Sequence, residues 1–342
     1  MSQPAIHVTD VAVVGAGPTG LFAVFECGML KMTCHVIDPL DMVGGQLSAL
    51  YPEKPIYDIP GLPAIQAGDL VTNLEKQAAA FDPVYHLGER VEKLVRTDDE
   101  RFLLETSKGT RIDAKAVIIA AGAGAFGPNR PPLANIEQYE GDSVFYMVSR
   151  REAFRGRRVV IAGGGDSAVD WALSLHELAE KIYVVHRRPK FRAAPESAAR
   201  LKALSEDGTG KLELVVPYQL DSLEGEGSTL SAVNVKTLDG DIRRLDADVL
   251  LPFYGLATDL GPIAEWGLNL DMHHITVESG TLATNKPGIF AIGDVATYEH
   301  KLKLILCGFS EAAMAAHAVR DLVYPDEALH FEYSTSLGVP HA

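Results

Sequence analysis

Two stretches decide the reading of this chain: DVAVVGAGPTG at residues 10–20 and RRVVIAGGGDSA at residues 157–168. In each, a β-branched apolar run leads straight into Gly-x-Gly-x-x-Gly/Ala and then into a helical pattern. The first helix is expected over Leu21 to about Leu30 and the second over Ala168 to about Ala179. Another short apolar strand follows each, CHVID and KIYVV. Two strand–glycine turn–helix–strand units predict an α/β protein with two doubly wound, Rossmann-like, three-layer nucleotide-binding domains.

Further strands are expected at AKAVIIAAGAG (114–124) and KPGIFAIGDVA (286–296). The second domain is therefore expected to be inserted into the first. The boundaries are set at 1–121 with 252–342 for the outer domain and at 122–251 for the inserted one. The chain has 342 residues and 47% hydrophobic content, enough for two cores. The formal net charge of −15 disfavours nucleic acid and anionic membranes as partners. No apolar run suggests a membrane span, and no signal peptide is visible. Cys27, Cys34 and Cys307 are too few for a disulfide framework, which points to a reducing, cytoplasmic setting. His7, His273, His274 and His300 have no ligand-like spacing, so no metal site is expected.

The glycines of Gly15-Ala16-Gly17-Pro18-Thr19-Gly20 permit a tight turn and let backbone N–H groups reach a pyrophosphate at a helix N-terminus. Asp38, at the end of the next strand, has the position of a ribose-binding carboxylate. The second motif, Gly163-Gly164-Gly165-Asp166-Ser167-Ala168, is followed at its strand end by His186-Arg187-Arg188, with Arg192 four residues on. An NAD site would carry Asp or Glu there. Arginines instead suit a 2′-phosphate, so NADPH is expected over NADH. Gly293-Asp294 suggests a carboxylate directed to the ribityl and pyrophosphate side of FAD. In the loop GGQLSALYPEKPIYD (44–58), with Gln46, Tyr51 and Tyr57, an aromatic either stacks on a flavin ring or packs within the loop.

These segments, together with HRRPKFRA, FAIGDVATYEHKLKLI and the terminal YSTS, resemble the thioredoxin-reductase-type ferredoxin–NADP⁺ reductases. The resemblance implies transfer of electrons between NADP(H) and ferredoxin through FAD. It implies FAD contacts at Thr19, Asp38, Gln46, Tyr51, Val91, Phe126, Asp294 and Thr335. Tyr51 and Tyr333 would flank the two faces of the flavin, with no acid–base catalyst required. A homodimer is implied as well. Thioredoxin reductases carry a Cys-x-x-Cys just before the second glycine motif, whereas this chain reads Phe145-Tyr146-Met147-Val148-Ser149 there. The rival readings are a reductase of quinones or other small acceptors, and a flavin- and NADPH-binding sensor. For ferredoxin docking, Lys301 and Lys303 are candidates, with the arginines at 150–158 as a second group.

Overall fold

The computed structural model describes residues 5–327 and 338–339, without the side chains of residues 125, 126, 128 and 256–258. The chain separates into two units: residues 1–126 with 258–342, and residues 127–257. The crossings thus fall at 126/127 and 257/258, against the expected 121/122 and 251/252.

In the first unit, Val11, Ala12 and Val13 are fully buried, as expected of a parallel strand covered on both faces. Strand Ile6–Val14 pairs in parallel with Cys34–Asp38 on one side and Arg111–Ile119 on the other. Val84–Leu87 extends the sheet beyond Cys34–Asp38, and Ile289–Ala291 joins beside Arg111–Ile119, both in parallel. Phe102–Thr106 and Val91–Arg96 add an antiparallel hairpin that the glycine motifs did not foretell. Helix Pro18–Met29 packs against helices Ala67–Ala79 and Ile305–Val323. The strand order reverses between Ile6–Val14 and Arg111–Ile119, and it is outside such a reversal that doubly wound sheets form their ligand crevice.

The second unit repeats the plan on a smaller scale. Arg158–Ala162 pairs in parallel with Lys181–Val185 and Val249–Pro252, and Leu212–Val215 completes a four-stranded sheet. Gln219–Glu226, Thr229–Lys236 and Ile242–Asp246 form a separate antiparallel sheet. The helices begin earlier than their apolar periodicity suggests, at Pro18 and Asp166, and the second ends at Leu175. Each starts directly after its glycine turn. Proline is accommodated in the first turn, where a backbone N–H has no intrahelical partner.

Candidate functional site

The three glycines of the first motif serve different ends. Gly15 has φ +114°, and a Cβ there would lie 2.3 Å from the Ala120 carbonyl oxygen. The glycine therefore lets the turn press against the end of the neighbouring strand. A Cβ on Gly20 would lie 2.0 Å from the Gly15 carbonyl oxygen, so Gly20 sets how closely helix meets strand. A Cβ on Gly17 would meet nothing within 4 Å. Gly17 thus borders open space and caps helix Pro18–Met29 without any side-chain hydrogen bond, which leaves the helix N-terminus without a side-chain acceptor and suited to an anion.

That open space is a cleft of about 430 Å³, lined wholly by residues of the first unit. Gly15, Gly17, Thr19, Asp38, Gln46, Tyr51, Val91 and Asp294 all contribute to its wall. Asp38 is buried at the strand end, where its Oδ2 accepts the Ala16 N–H at 2.6 Å and its Oδ1 the Leu40 N–H at 2.8 Å. Burial raises its pKa, while the two N–H donors oppose the shift. Each carboxylate oxygen keeps a second lone pair for a ligand hydroxyl. The Gly44-Gly45 pair docks on the first turn, with the Gly44 N–H donating to the Ala16 oxygen at 2.8 Å. This docking carries Gln46, the first residue of helix Gln46–Leu50, to the cleft. Of the two loop tyrosines, Tyr51 lines the cleft and Tyr57 is exposed. Burial, with Asp294 nearby, pushes the Tyr51 hydroxyl up to about 12, so it stays protonated.

In the second unit, Gly163 again makes the close approach, since its Cβ would lie 2.7 Å from the Phe253 oxygen. Gly165 again opens onto free space and caps its helix without a side-chain bond. The arginine segment folds back onto this turn. The Arg192 N–H donates to the Gly164 oxygen at 2.7 Å, and Asp166 Oδ1 accepts the Ala194 N–H at 2.9 Å. Asp166 and Ser167 occupy the exposed first turn of the helix. Arg187, Arg188 and Arg192 are exposed. None of the three has a carboxylate partner among the described residues, whereas Arg130, Arg155, Arg158, Arg243 and Arg244 each meet one. His186 stands apart from them, its ring buried against Gly164 and 5.4 Å from Phe191. Burial, with the three arginines nearby, lowers its pKa against the pull of a hydrogen bond to the Lys190 backbone.

Phe126, as a side chain, and Tyr333 and Thr335 altogether lie outside the described residues. Lys301 corrects the docking expectation. Its side chain is 4% exposed and paired with Glu311, because the loop turns it inward against helix Ile305–Val323. Lys303 is exposed at the cleft wall. In the arginine group, Arg151 donates to the Ser174 oxygen, and Arg155 and Arg158 pair with Glu152 and Asp248. These three are tied to their own unit. Glu311 escaped the sequence reading. Its only signal is an acidic residue amid the Ala- and Gly-rich face of the last helix.

The family model for pyridine nucleotide-disulphide oxidoreductases matches residues 9–319. A protein of Paramagnetospirillum magneticum named ferredoxin–NADP reductase is 66% identical, covering 98% of this chain and 99% of its own length. One of Rhodospirillum rubrum with the same name is 61% identical, covering 99% of both. Among solved structures, the Lactococcus lactis thioredoxin reductase superposes with a TM-score of 0.79 at 22% identity, over 93% of this chain and 99% of that one. The thioredoxin reductase of T. acidophilum gives 0.79 at 22%, over 92% and 98%. At such identity the superpositions establish the fold, two Rossmann-like units in one chain. The chain belongs to the pyridine nucleotide-disulphide oxidoreductase family and, within it, groups with the relatives named ferredoxin–NADP reductase.

Proposed function

We propose that this oxidoreductase transfers electrons between NADP(H) and ferredoxin, with FAD held non-covalently in the cleft of the first unit and NADP(H) on the second. The observation that carries the reading is the pairing of two differently equipped glycine turns. One opens onto a cleft with a carboxylate at the following strand end. Onto the other folds a segment carrying three exposed arginines that have no carboxylate partner among the described residues.

The residues of the cleft fit FAD. The open face of Gly17 and the uncapped N–H groups of helix Pro18–Met29 suit a pyrophosphate. The free lone pairs of Asp38 suit the adenosine ribose, with Val91 beside the adenine. Thr19 and Asp294 line the path of the ribityl chain, and Gln46 and the protonated Tyr51 present a hydrogen-bonding group and a flat ring to the flavin. When bound, FAD exchanges a hydride with nicotinamide and single electrons with an iron–sulfur protein. The chain's part is to bind, orient and insulate. In the second unit, Gly163, Gly165 and Ser167 border the NADP(H) pyrophosphate. Arg187, Arg188 and Arg192 hold the 2′-phosphate, and Asp166 and His186 keep their loop and turn in place. Phe126, Tyr333 and Thr335 complete the flavin site on the strength of the resemblance.

Residues 127–257 contain no cysteine, so that unit offers no dithiol for disulfide exchange. Among the described residues no helix is long and apolar enough to cross a membrane. A cytoplasmic homodimer is the expected working form. The test is to add NADPH to the purified chain and follow bleaching of the flavin band, then electron transfer to a panel of ferredoxins. Purification without FAD would refute the reading. Rapid NADPH oxidation with quinones but with no ferredoxin would replace it with a quinone reductase.

A further inference from the structure

Beneath the Gly293-Asp294 turn lies a polar network centred on a buried carboxylate. Glu311, on helix Ile305–Val323, is 2% exposed. Its Oε2 accepts the Gly293 N–H at 2.7 Å, and its Oε1 accepts the Tyr298 hydroxyl at 2.8 Å and the Lys301 ammonium. Lys301 Nζ also stands 5.4 Å from the centre of the Tyr298 ring. One carboxylate thus gathers a backbone amide, a phenol and an ammonium. The amide belongs to the turn itself, and the phenol and ammonium to the segment that runs on from it.

The same helix shapes the cleft side of that turn. Gly293 has φ +71°, and a Cβ there would lie 3.2 Å from Thr19 Oγ1. A Cβ on Gly308 would lie 2.5 Å from the same oxygen. Thr19 is therefore seated between the turn and the helix, and Thr19, Gly293 and Asp294 all line the cleft. A left-handed turn with its N–H buried needs an acceptor, because an unmet buried donor costs more than a made bond contributes. A buried ion pair is a poor source of stability, since desolvation offsets the attraction. Its consequence here is geometric. The ammonium neutralises the carboxylate, so a full acceptor can stand in the interior directly behind the turn.

We infer that Glu311, held by Lys301 and Tyr298, is a positioning residue for FAD: it fixes the Gly293-Asp294 turn and the Thr19 seat through the Gly293 N–H. The inference rests on the proposed FAD site. It assigns the effect to the acceptor and leaves the charge as the means of burying it.

Two double variants separate acceptor from charge. Glu311→Leu with Lys301→Met removes the ion pair and the acceptor together, at similar volume. Glu311→Gln with Lys301→Met removes the charges but keeps a carbonyl for Gly293 and an amide for Tyr298. The dissociation constant of FAD for the full chain is read from the fluorescence of released FAD on dilution, and folding by circular dichroism. The Leu/Met chain is expected to fold and to bind FAD at least tenfold more weakly, while the Gln/Met chain stays within threefold of the unmutated protein. Unchanged affinity in the Leu/Met chain, or equal loss in both, would overturn the inference while leaving the FAD site itself intact. Should the Leu/Met chain not fold, the Gln/Met chain decides alone: within threefold supports the inference, tenfold or weaker refutes it. An unmutated chain that bound no FAD would overturn the proposed function, and this inference with it.

Discussion

Gly17→Ala should cost ligand affinity and leave the fold alone, and the structure allows the size of each effect to be worked out. Gly17 has φ −69° and ψ 178°, a conformation open to alanine. Its added methyl meets no protein atom within 4 Å. Alanine is a poorer N-cap than glycine, by about 1 kcal/mol or less. The stiffer unfolded chain returns roughly 0.4–1 kcal/mol. The two offset, so the flavin-free melting temperature should move by about 2 °C or less. The methyl points into the cleft, where a pyrophosphate would approach the first-turn N–H groups. Losing one charge-assisted hydrogen bond costs about 1.5–3 kcal/mol, or roughly 10- to 150-fold in the FAD dissociation constant. Gly20→Ala is the internal control with the opposite signature. Its Cβ would lie 2.0 Å from the Gly15 carbonyl oxygen, a backbone atom that moves only with the turn. Overpacking of that kind costs about 1–3 kcal/mol, and the flavin-free protein should already melt several degrees lower. Thermal melts without FAD and fluorescence titrations with it read the two quantities separately. Gly17→Ala protein with unchanged FAD affinity, or Gly20→Ala protein as stable as the unmutated chain, would refute the division of labour among the glycines.

Replacing Arg187 and Arg188 by Ala should remove about 2–5 kcal/mol of preference for NADPH, measured as the ratio of kcat/KM for NADPH and NADH. Equal efficiency with NADH before mutation would show that the arginine loop reads no 2′-phosphate. A pH dependence follows from His35 and His86, buried with Nδ1 of one 2.9 Å from Nε2 of the other and with His7 alongside. Burial first, then the neighbouring histidines, lowers His35 from 6.5 to about 4. Burial and His7 likewise lower His86, with Glu89 opposing. Below about 6.5 the unfolded chain takes up a proton that folded His35 refuses until about 4. Stability should therefore fall across that window as pH drops, by at most about 3 kcal/mol from His35. Urea titrations at pH 7 and pH 4.5 would show it, and a His35→Asn chain with an equally steep loss would sink the assignment. Lys301→Glu sets two carboxylates together in the interior and should destabilise the chain by about 3–5 kcal/mol. Lys303→Glu should leave the melting temperature within a degree or two, so of the two lysines Lys303 is the fair test of ferredoxin docking. A Lys301→Glu protein that melts normally would contradict the buried pair.

How Gly15, Gly17 and Gly20 divide the work appeared only in their surroundings. Legible along the chain were the two Rossmann-like units, a glycine turn suited to a pyrophosphate, and the contrast between Asp38 and the arginines after His186. These features are local. A turn of fixed geometry demands glycine wherever backbone meets backbone or ligand, and a strand–helix–strand unit fixes how far along the chain the next strand end must fall. Asp38 was legible for that reason, although its two backbone donors were not. Motif and loop composition left Tyr51 and Tyr57 both open, and only the resemblance favoured Tyr51. That Tyr51 lines the cleft while Tyr57 is exposed follows from how the Gly44-Gly45 pair docks on Ala16. Tertiary structure also buried Lys301 and left Lys303 outside, two residues apart on an irregular segment with no period to betray which one faces inward. Glu311 meets Gly293 across 18 residues and His35 meets His86 across 51. Contacts of that reach exist only once particular faces of helix, loop and sheet are pressed together, and no spacing rule in one dimension carries that information.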